Sequence, residues 1–218
     1  MRKSIKSLKS LKNLISFVVV FSLMVTLFSL TGCANGESTT EDPSDNNSDA
    51  YDASWVDDSI VPQETGSAKG LENFNTLDLY GNPVDQSIFE DYEITVIDVW
   101  GTYCNPCINA MPTLAKIYGE YEPQGVNVIG LIIDVQNGDF VPKKDFIIKA
   151  MEITDMTGAD FTHLLTSKNL TYSVLKDISA IPASFIVDSE GNLLSEITYG
   201  GHSEDQWREL LDGYLKKD

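Results

Sequence analysis

The chain has 218 residues, a formal net charge of −18 and three cysteines. That length suits one ordinary domain with extensions, and three cysteines are too few for a disulfide-stapled scaffold, so apolar packing must hold the core. Acidity on this scale excludes nucleic acid as a partner, because phosphates would be repelled.

The first 32 residues hold five bases (Arg2, Lys3, Lys6, Lys9, Lys12) and no acid, and an apolar run follows from Leu14 to Leu30, broken only by Ser and Thr. This is the pattern of an export signal. Leu30-Thr31-Gly32-Cys33 comes next and resembles the lipobox of bacterial lipoproteins, which implies diacylation of Cys33 as the first residue of the mature chain. An uncleaved membrane anchor is the alternative, since 17 mostly apolar residues nearly span a bilayer. Either way the basic flank stays inside and the remainder lies outside. Two acyl chains, at ~0.8 kcal/mol per buried methylene, anchor a protein stably where one does not. Without residues 1–32 the balance is ten bases against 33 acids, or −23.

From Ala34 to Gly66 there are nine acids and no base, among many Ser, Thr, Asn and Asp residues. Such a segment buries too little apolar area to offset its ordering entropy and is expected to form a flexible tether over 33–66. Trp55 and Val56 are its exceptions, with docking on the domain a minority expectation. The folded domain is expected over 67–218. Phe74–Leu79 alternates and Tyr80-Gly81-Asn82-Pro83 supplies a turn, which predicts a hairpin. Ile94–Trp100 has apolar residues on both faces, as a central strand requires. Ile108, Met111, Leu114, Ala115, Tyr118 and Tyr121 recur at helical spacing, and Val126–Ile133 is a second apolar strand, completing a βαβ unit. Residues 134–180 are mixed, with helices expected around 146–153 and 170–178. Ala183–Val187 and Leu193–Thr198 flank a turn and predict a terminal hairpin. Ser203 with Gln206 is a capping-box pattern opening a last helix, striped by Trp207, Leu210, Leu211 and Tyr214. The order describes an α/β sandwich.

Trp100-Gly101-Thr102-Tyr103-Cys104-Asn105-Pro106-Cys107 carries the chemistry. Two thiols at Cys-x-x-Cys spacing can cycle between dithiol and disulfide. Placed where a strand yields to a helix, the first sulfur meets unpaired N–H groups and the positive end of the dipole, which favour thiolate, the species that attacks disulfides.

This octapeptide, Pro112 five residues after Cys107, Ile181-Pro182 and Gly200 occur in order over some 150 residues. Residues from about 70 to 218 thereby resemble the TlpA/ResA-like thiol-disulfide oxidoreductases of the thioredoxin superfamily, with Tyr103 in place of the usual Trp. The resemblance implies a thioredoxin-like fold, a central mixed sheet flanked by helices with an N-terminal β-hairpin. It also implies that Cys104 is a partly exposed nucleophile of low pKa and that Cys107 resolves the mixed disulfide. Trp100, Tyr103, Pro106, Ile181 and Pro182 become the substrate-binding surface, with Pro182 in cis and the Ile181 backbone open to a bound peptide. Pro106, near the helix start, costs no backbone hydrogen bond.

Asp98 interrupts a strand otherwise suited to a dry interior, so its pKa should be raised. Six residues before Cys104 is also where thioredoxins carry a buried aspartate, which implies that Asp98 is the general base for Cys107. There are two departures: Ala110 stands where relatives often have glutamate, and Gly130 aligns where thioredoxins often have lysine.

Other readings fit less well. A closed zinc site needs four ligands, and only His163 and His202, far apart, could join the pair; copper delivery of the Sco type expects Cys-x-x-x-Cys. A peroxiredoxin-like peroxide reductase would place Thr three residues before the cysteine, whereas Thr102 is two before Cys104. A non-catalytic binding lipoprotein is the alternative from another class. The expectation is therefore a monomeric, lipid-anchored, extracytoplasmic oxidoreductase acting as a reductant of disulfides in exported proteins. Its redox-active pair Cys104–Cys107 would need no metal or other cofactor and would take electrons from a membrane dithiol donor of CcdA/DsbD type.

Overall fold

The computed structural model describes residues 51–56, 71 and 73–216. The export signal, Cys33 and most of the tether lie outside the described residues. Among those described, no helix is long and apolar enough to cross a membrane.

Strands β1 (Asn75–Leu77) and β2 (Pro83–Asp85) form the expected antiparallel hairpin. It docks on the edge of the main sheet, where Thr76 Oγ1 donates to the Leu165 carbonyl at 2.6 Å and the Leu79 N–H to the His163 carbonyl at 2.8 Å. β3 (Ile94–Trp100), α1 (Asn105–Tyr121) and β4 (Val126–Ile132) make the βαβ unit, with Pro112 inside α1. Then follow α2 (Lys144–Thr157), β5 (Thr162–Leu165), α3 (Lys168–Ser173), β6 (Ala183–Asp188), β7 (Thr198–Tyr199) and α4 (Glu204–Leu215). The main sheet runs β5-β4-β3-β6-β7; β5, β4 and β3 are parallel, while β6 and β7 are antiparallel to their neighbours. This is the mixed sheet flanked by helices that the sequence predicts.

Both faces of the central strands are buried, as their continuous apolar runs require. Ile94, Val96 and Trp100 share one core with Cys107, Met111 and Ile117 of α1, Met151 of α2 and Leu211 of α4. Ile97 and Val99 belong to the opposite core, with Phe74, Phe89 and Leu170. Because alternate strand residues take opposite faces, Asp98 faces the layer that holds both cysteines.

Three features depart from expectation. β5 was hidden in the mixed region, since Thr-His-Leu-Leu has neither a run nor an alternation long enough to read. The last hairpin is shorter than predicted: Val187 and Leu193 form one bridge, but the Ile186 N–H goes to Ser195 Oγ at 2.8 Å, so a hydroxyl replaces the ladder carbonyl and regular pairing resumes only at Thr198. Residues 51–56, assigned by composition to the tether, lie against the domain. Ala53 is buried, Tyr51 Oη donates to Asp155 of α2 at 3.1 Å, and Trp55 covers Gly81 so closely that a Cβ there would sit 2.5 Å from the indole. Tyr51, Ala53, Trp55 and Val56 concentrate apolar surface within six residues, which an average over the acidic segment conceals. The capping box of Ser203 and Gln206 opens α4 as predicted.

Candidate active site

β3 ends at Trp100 and α1 starts at Asn105, so four residues turn the chain from sheet to helix. Asp134, just beyond β4, pins that turn. Its carboxylate accepts the Thr102 N–H at 2.9 and 3.0 Å and the Thr102 hydroxyl at 2.7 Å. Removing it orphans a part-buried N–H and a hydroxyl, so Asp134→Ala should lower stability by ~1–3 kcal/mol, read as a shifted denaturant midpoint with an unchanged m-value.

Cys104 and Cys107 are bonded to each other, with Cα atoms 5.3 Å apart. Cys104 is the N-cap of α1, and its Sγ accepts the Cys107 N–H at 3.2 Å. When the bond is reduced, that donor and the helix dipole both favour the Cys104 thiolate. Cys104 is only 6% exposed against 1% for Cys107, so the nucleophile is more covered than expected, though it remains the more accessible of the two.

The proposed substrate surface divides. Tyr103 is 65% exposed and Pro106 is exposed beside it. The Ile181-Pro182 bond is cis, with Ile181 half-buried and the Pro182 ring covered. Tyr103 and Ile181 open onto a cleft of about 510 Å³ with Gln136, Phe140, Tyr172 and Ile178, and among the described residues no charged side chain lines it. Trp100 does not belong to this surface. It is fully buried, and its indole N–H donates to His163 Nδ1 at 3.2 Å, so it cannot touch a substrate from that position. The expectation failed because an aromatic close to the cysteines in sequence reads the same whether it faces out or in.

Asp98 is buried, and desolvation pushes its pKa up to about 7. Its register partner on β4 is Gly130, the position where the resemblance to thioredoxins implies a lysine. The space is not empty, however: a Cβ on Gly130 would lie 2.1 Å from His163 Nδ1 and 2.9 Å from Trp100 Nε1. The imidazole of β5 therefore occupies the place of a residue-130 side chain. His163 Nε2 pairs with the Ala159 carbonyl at 3.1 Å, and burial lowers its pKa to about 4. With Nε2 donating and Nδ1 accepting, the ring is neutral and Asp98 gains no cation from it. Neither His163 nor Asp134 carried a signal in sequence beyond being a histidine in an unreadable stretch and an acid just past a strand. Among the described residues, no group of three or more His, Cys, Asp or Glu residues could hold a metal.

A family model described as AhpC/TSA matches residues 68–195. The thiol-disulfide oxidoreductase ResA of Bacillus thuringiensis subsp. konkukian is 30% identical over 152 residues, covering 68% of this chain and 76% of that protein. ResA of Halalkalibacterium halodurans is 27% identical over 140 residues, covering 64% and 72%. Among solved structures, a thioredoxin-family thiol:disulfide interchange protein from Chlorobium tepidum superposes with a TM-score of 0.55 at 16% identity, covering 69% of this chain and 99% of that one. A thiol:disulfide interchange protein from a Bacteroides species gives 0.52 at 18% identity, covering 73% and 93%. The chain belongs to the AhpC/TSA family and is a thiol-disulfide oxidoreductase of ResA type.

Proposed function

We propose that this ResA-type oxidoreductase is held by lipid on Cys33 at the outer face of a cell membrane and reduces disulfides of exported proteins. The Cys104–Cys107 bond at the start of α1, with Cys104 Sγ already accepting a helix N–H, is the observation that carries the mechanism. In the dithiol state the Cys104 thiolate attacks one sulfur of a substrate disulfide and expels the other as thiolate. Cys107 then gives its proton to Asp98 and attacks Cys104 Sγ, releasing the second substrate sulfur and closing the internal disulfide. A membrane dithiol donor of CcdA/DsbD type restores the dithiol.

Several features support this reading. The basic flank, apolar run and Leu30-Thr31-Gly32-Cys33 fit export and lipidation. Asp98 faces the layer that contains Cys107, and its raised pKa suits a base working near neutrality. The uncharged cleft beside Tyr103 and Ile181 suits neutral peptide segments rather than charged small molecules. Two substitutions test the exchange. The Cys107→Ser variant should accumulate mixed disulfides through Cys104 that gel shift and mass spectrometry resolve, and the Cys104→Ser variant should form none. If Cys107→Ser captures no protein from an oxidised secreted fraction, the mechanism is wrong.

A further inference from the structure

The cleft beside the cysteines draws on four separate parts of the chain. Tyr103 comes from the cysteine turn, Gln136 and Phe140 from the loop after β4, Tyr172 from α3, and Ile178 and Ile181 from the approach to β6. Phe140 has φ 63°, and among the described residues it is the one non-glycine with positive φ. A bulky side chain is disfavoured in that left-handed region, and Asn137 and Gly138, which tolerate it, stand two or three residues earlier. The loop nevertheless fixes Phe140 there. Its N–H donates to the Asn137 carbonyl at 3.0 Å, and its carbonyl accepts Gln136 Nε2 at 2.8 Å. Asn137 Oδ1 accepts the N–H groups of Asp139 and Val141 at 2.9 and 3.0 Å. Strain held in this way by its surroundings collects at ligand clamps. The same bonds occupy the polar groups of this wall. Gln136 Oε1 accepts the buried Thr166 hydroxyl at 2.7 Å, so both ends of its amide are engaged inside the protein. The cleft then presents mainly aromatic and aliphatic surface. Tyr103 and Tyr172 are 65% and 62% exposed, and in a chain with 33 acids no charged side chain among the described residues lines it.

We propose that this cleft selects among disulfide substrates by seating an uncharged, apolar side chain of aromatic size within two residues of the substrate cysteine, with Phe140 and Tyr172 as specificity-determining residues. The proposal deepens, and rests on, the reading of the chain as a reductant of protein disulfides. Tyr103 adjoins Cys104 in sequence, and both Tyr103 and Ile181 line the cleft. A substrate whose sulfur is engaged at Cys104 and whose backbone pairs at Ile181 therefore lays the side chains nearest its cysteine at the cleft. An aromatic side chain there packs against the phenylalanine and tyrosine rings in edge or offset contacts. A carboxylate or ammonium group would give up its hydration and meet no counter-charge. A side-chain amide would find the polar groups of the Gln136 wall already paired. At about 510 Å³ the cleft is within the size range of built binding sites and has room for such a side chain.

Short peptides with one internal disulfide test this, alike except for Phe, Leu, Gln or Glu next to the first cysteine. The pre-reduced full chain meets each at rising concentration, in salt that screens its net charge. Each single turnover opens the peptide disulfide and closes Cys104–Cys107, and chromatography reads the reduced peptide. The Phe peptide should reach half-saturation at a concentration about tenfold below the Gln and Glu peptides, with Leu between, a ratio that partial burial of one aromatic side chain supplies. Phe140→Gly and Tyr172→Ala should each shrink that ratio, and together bring it close to one, whereas Phe140→Leu should keep most of it. The denaturant midpoint of Phe140→Gly should hold or rise, because glycine takes φ 63° without strain. If that variant is destabilised instead, Tyr172→Ala, at its exposed position, carries the same test. Equal half-saturation for all the peptides, or a ratio that both single variants leave at its wild-type value, would overturn the proposal and leave the reductant intact. A chain that reduces none of the peptides removes the reductant and the selectivity with it.

Discussion

Asp98→Asn should be slower than the parent protein and, at pH 8, more stable. A carboxyl with a pKa of 3.8 in the unfolded chain and about 7 in the folded one binds its proton more tightly when folded. Below about pH 4 both states are protonated and the group contributes nothing. As pH rises from 4 to 7 the unfolded state releases its proton first, so stability falls, and above 7 the full cost of the buried charge is present. Three pKa units correspond to ~4 kcal/mol, the most that asparagine can recover, since its amide is never charged but still needs partners. The two proteins should therefore have equal denaturant midpoints near pH 4 and separate steadily to pH 8, the variant higher. Single-turnover resolution of a preformed mixed disulfide should drop by about 10- to 100-fold at neutral pH, within the range of one general base. Midpoints that stay parallel from pH 4 to 8 would show that Asp98 titrates normally in the fold, and the base role would go with it.

Gly130→Ala should be among the most damaging single-methyl additions available. The new Cβ would sit 2.1 Å from His163 Nδ1 and 2.9 Å from Trp100 Nε1. All three residues are buried, and the β3–β4 and β4–β5 ladders hold their backbones, so neither ring has room to swing aside. Overpacking of a tight core costs ~1–3 kcal/mol, and separating the indole from its acceptor adds ~1–3 kcal/mol for the orphaned N–H. His163→Ala alone should cost a similar amount, by opening a cavity and orphaning Trp100. The double variant is the informative one. With the imidazole gone the added methyl has space, so the two costs should fall well short of additive, a coupling of more than ~1 kcal/mol in a double-mutant cycle. Near-UV circular dichroism should report altered Trp100 packing in each single variant. Additive costs would mean that the ring does not fill the glycine's place.

These two outcomes concern neighbours on one row of the sheet, and they explain the missing lysine. Where the resemblance to thioredoxins implies a lysine beside the buried aspartate, this chain has glycine, and a neutral histidine that holds Trp100 fills the gap. The carboxyl is left with desolvation alone acting on its pKa.

Much of this was legible in one dimension. Local chemistry dictated the βαβ unit, the hairpin at Gly81 and the capped last helix. Apolar period, turn residues and caps act within a few positions, and the chain carries them openly. The redox pair was equally plain, because spacing and a helix start are local facts. The same holds for Asp98, a charge in a dry strand. Residues 162–165 were not legible, since four residues with Thr and His become a strand only when β4 offers an edge. Trp100 was misplaced at the surface for a related reason: exposure depends on what covers a residue, and here that is a histidine 63 positions away. The sequence by itself therefore determined the reactive centre and the order of elements around it. The tertiary structure alone decided what stands beside Asp98 and which aromatic near the cysteines is exposed, because pairing across strands brings together residues that no local pattern connects.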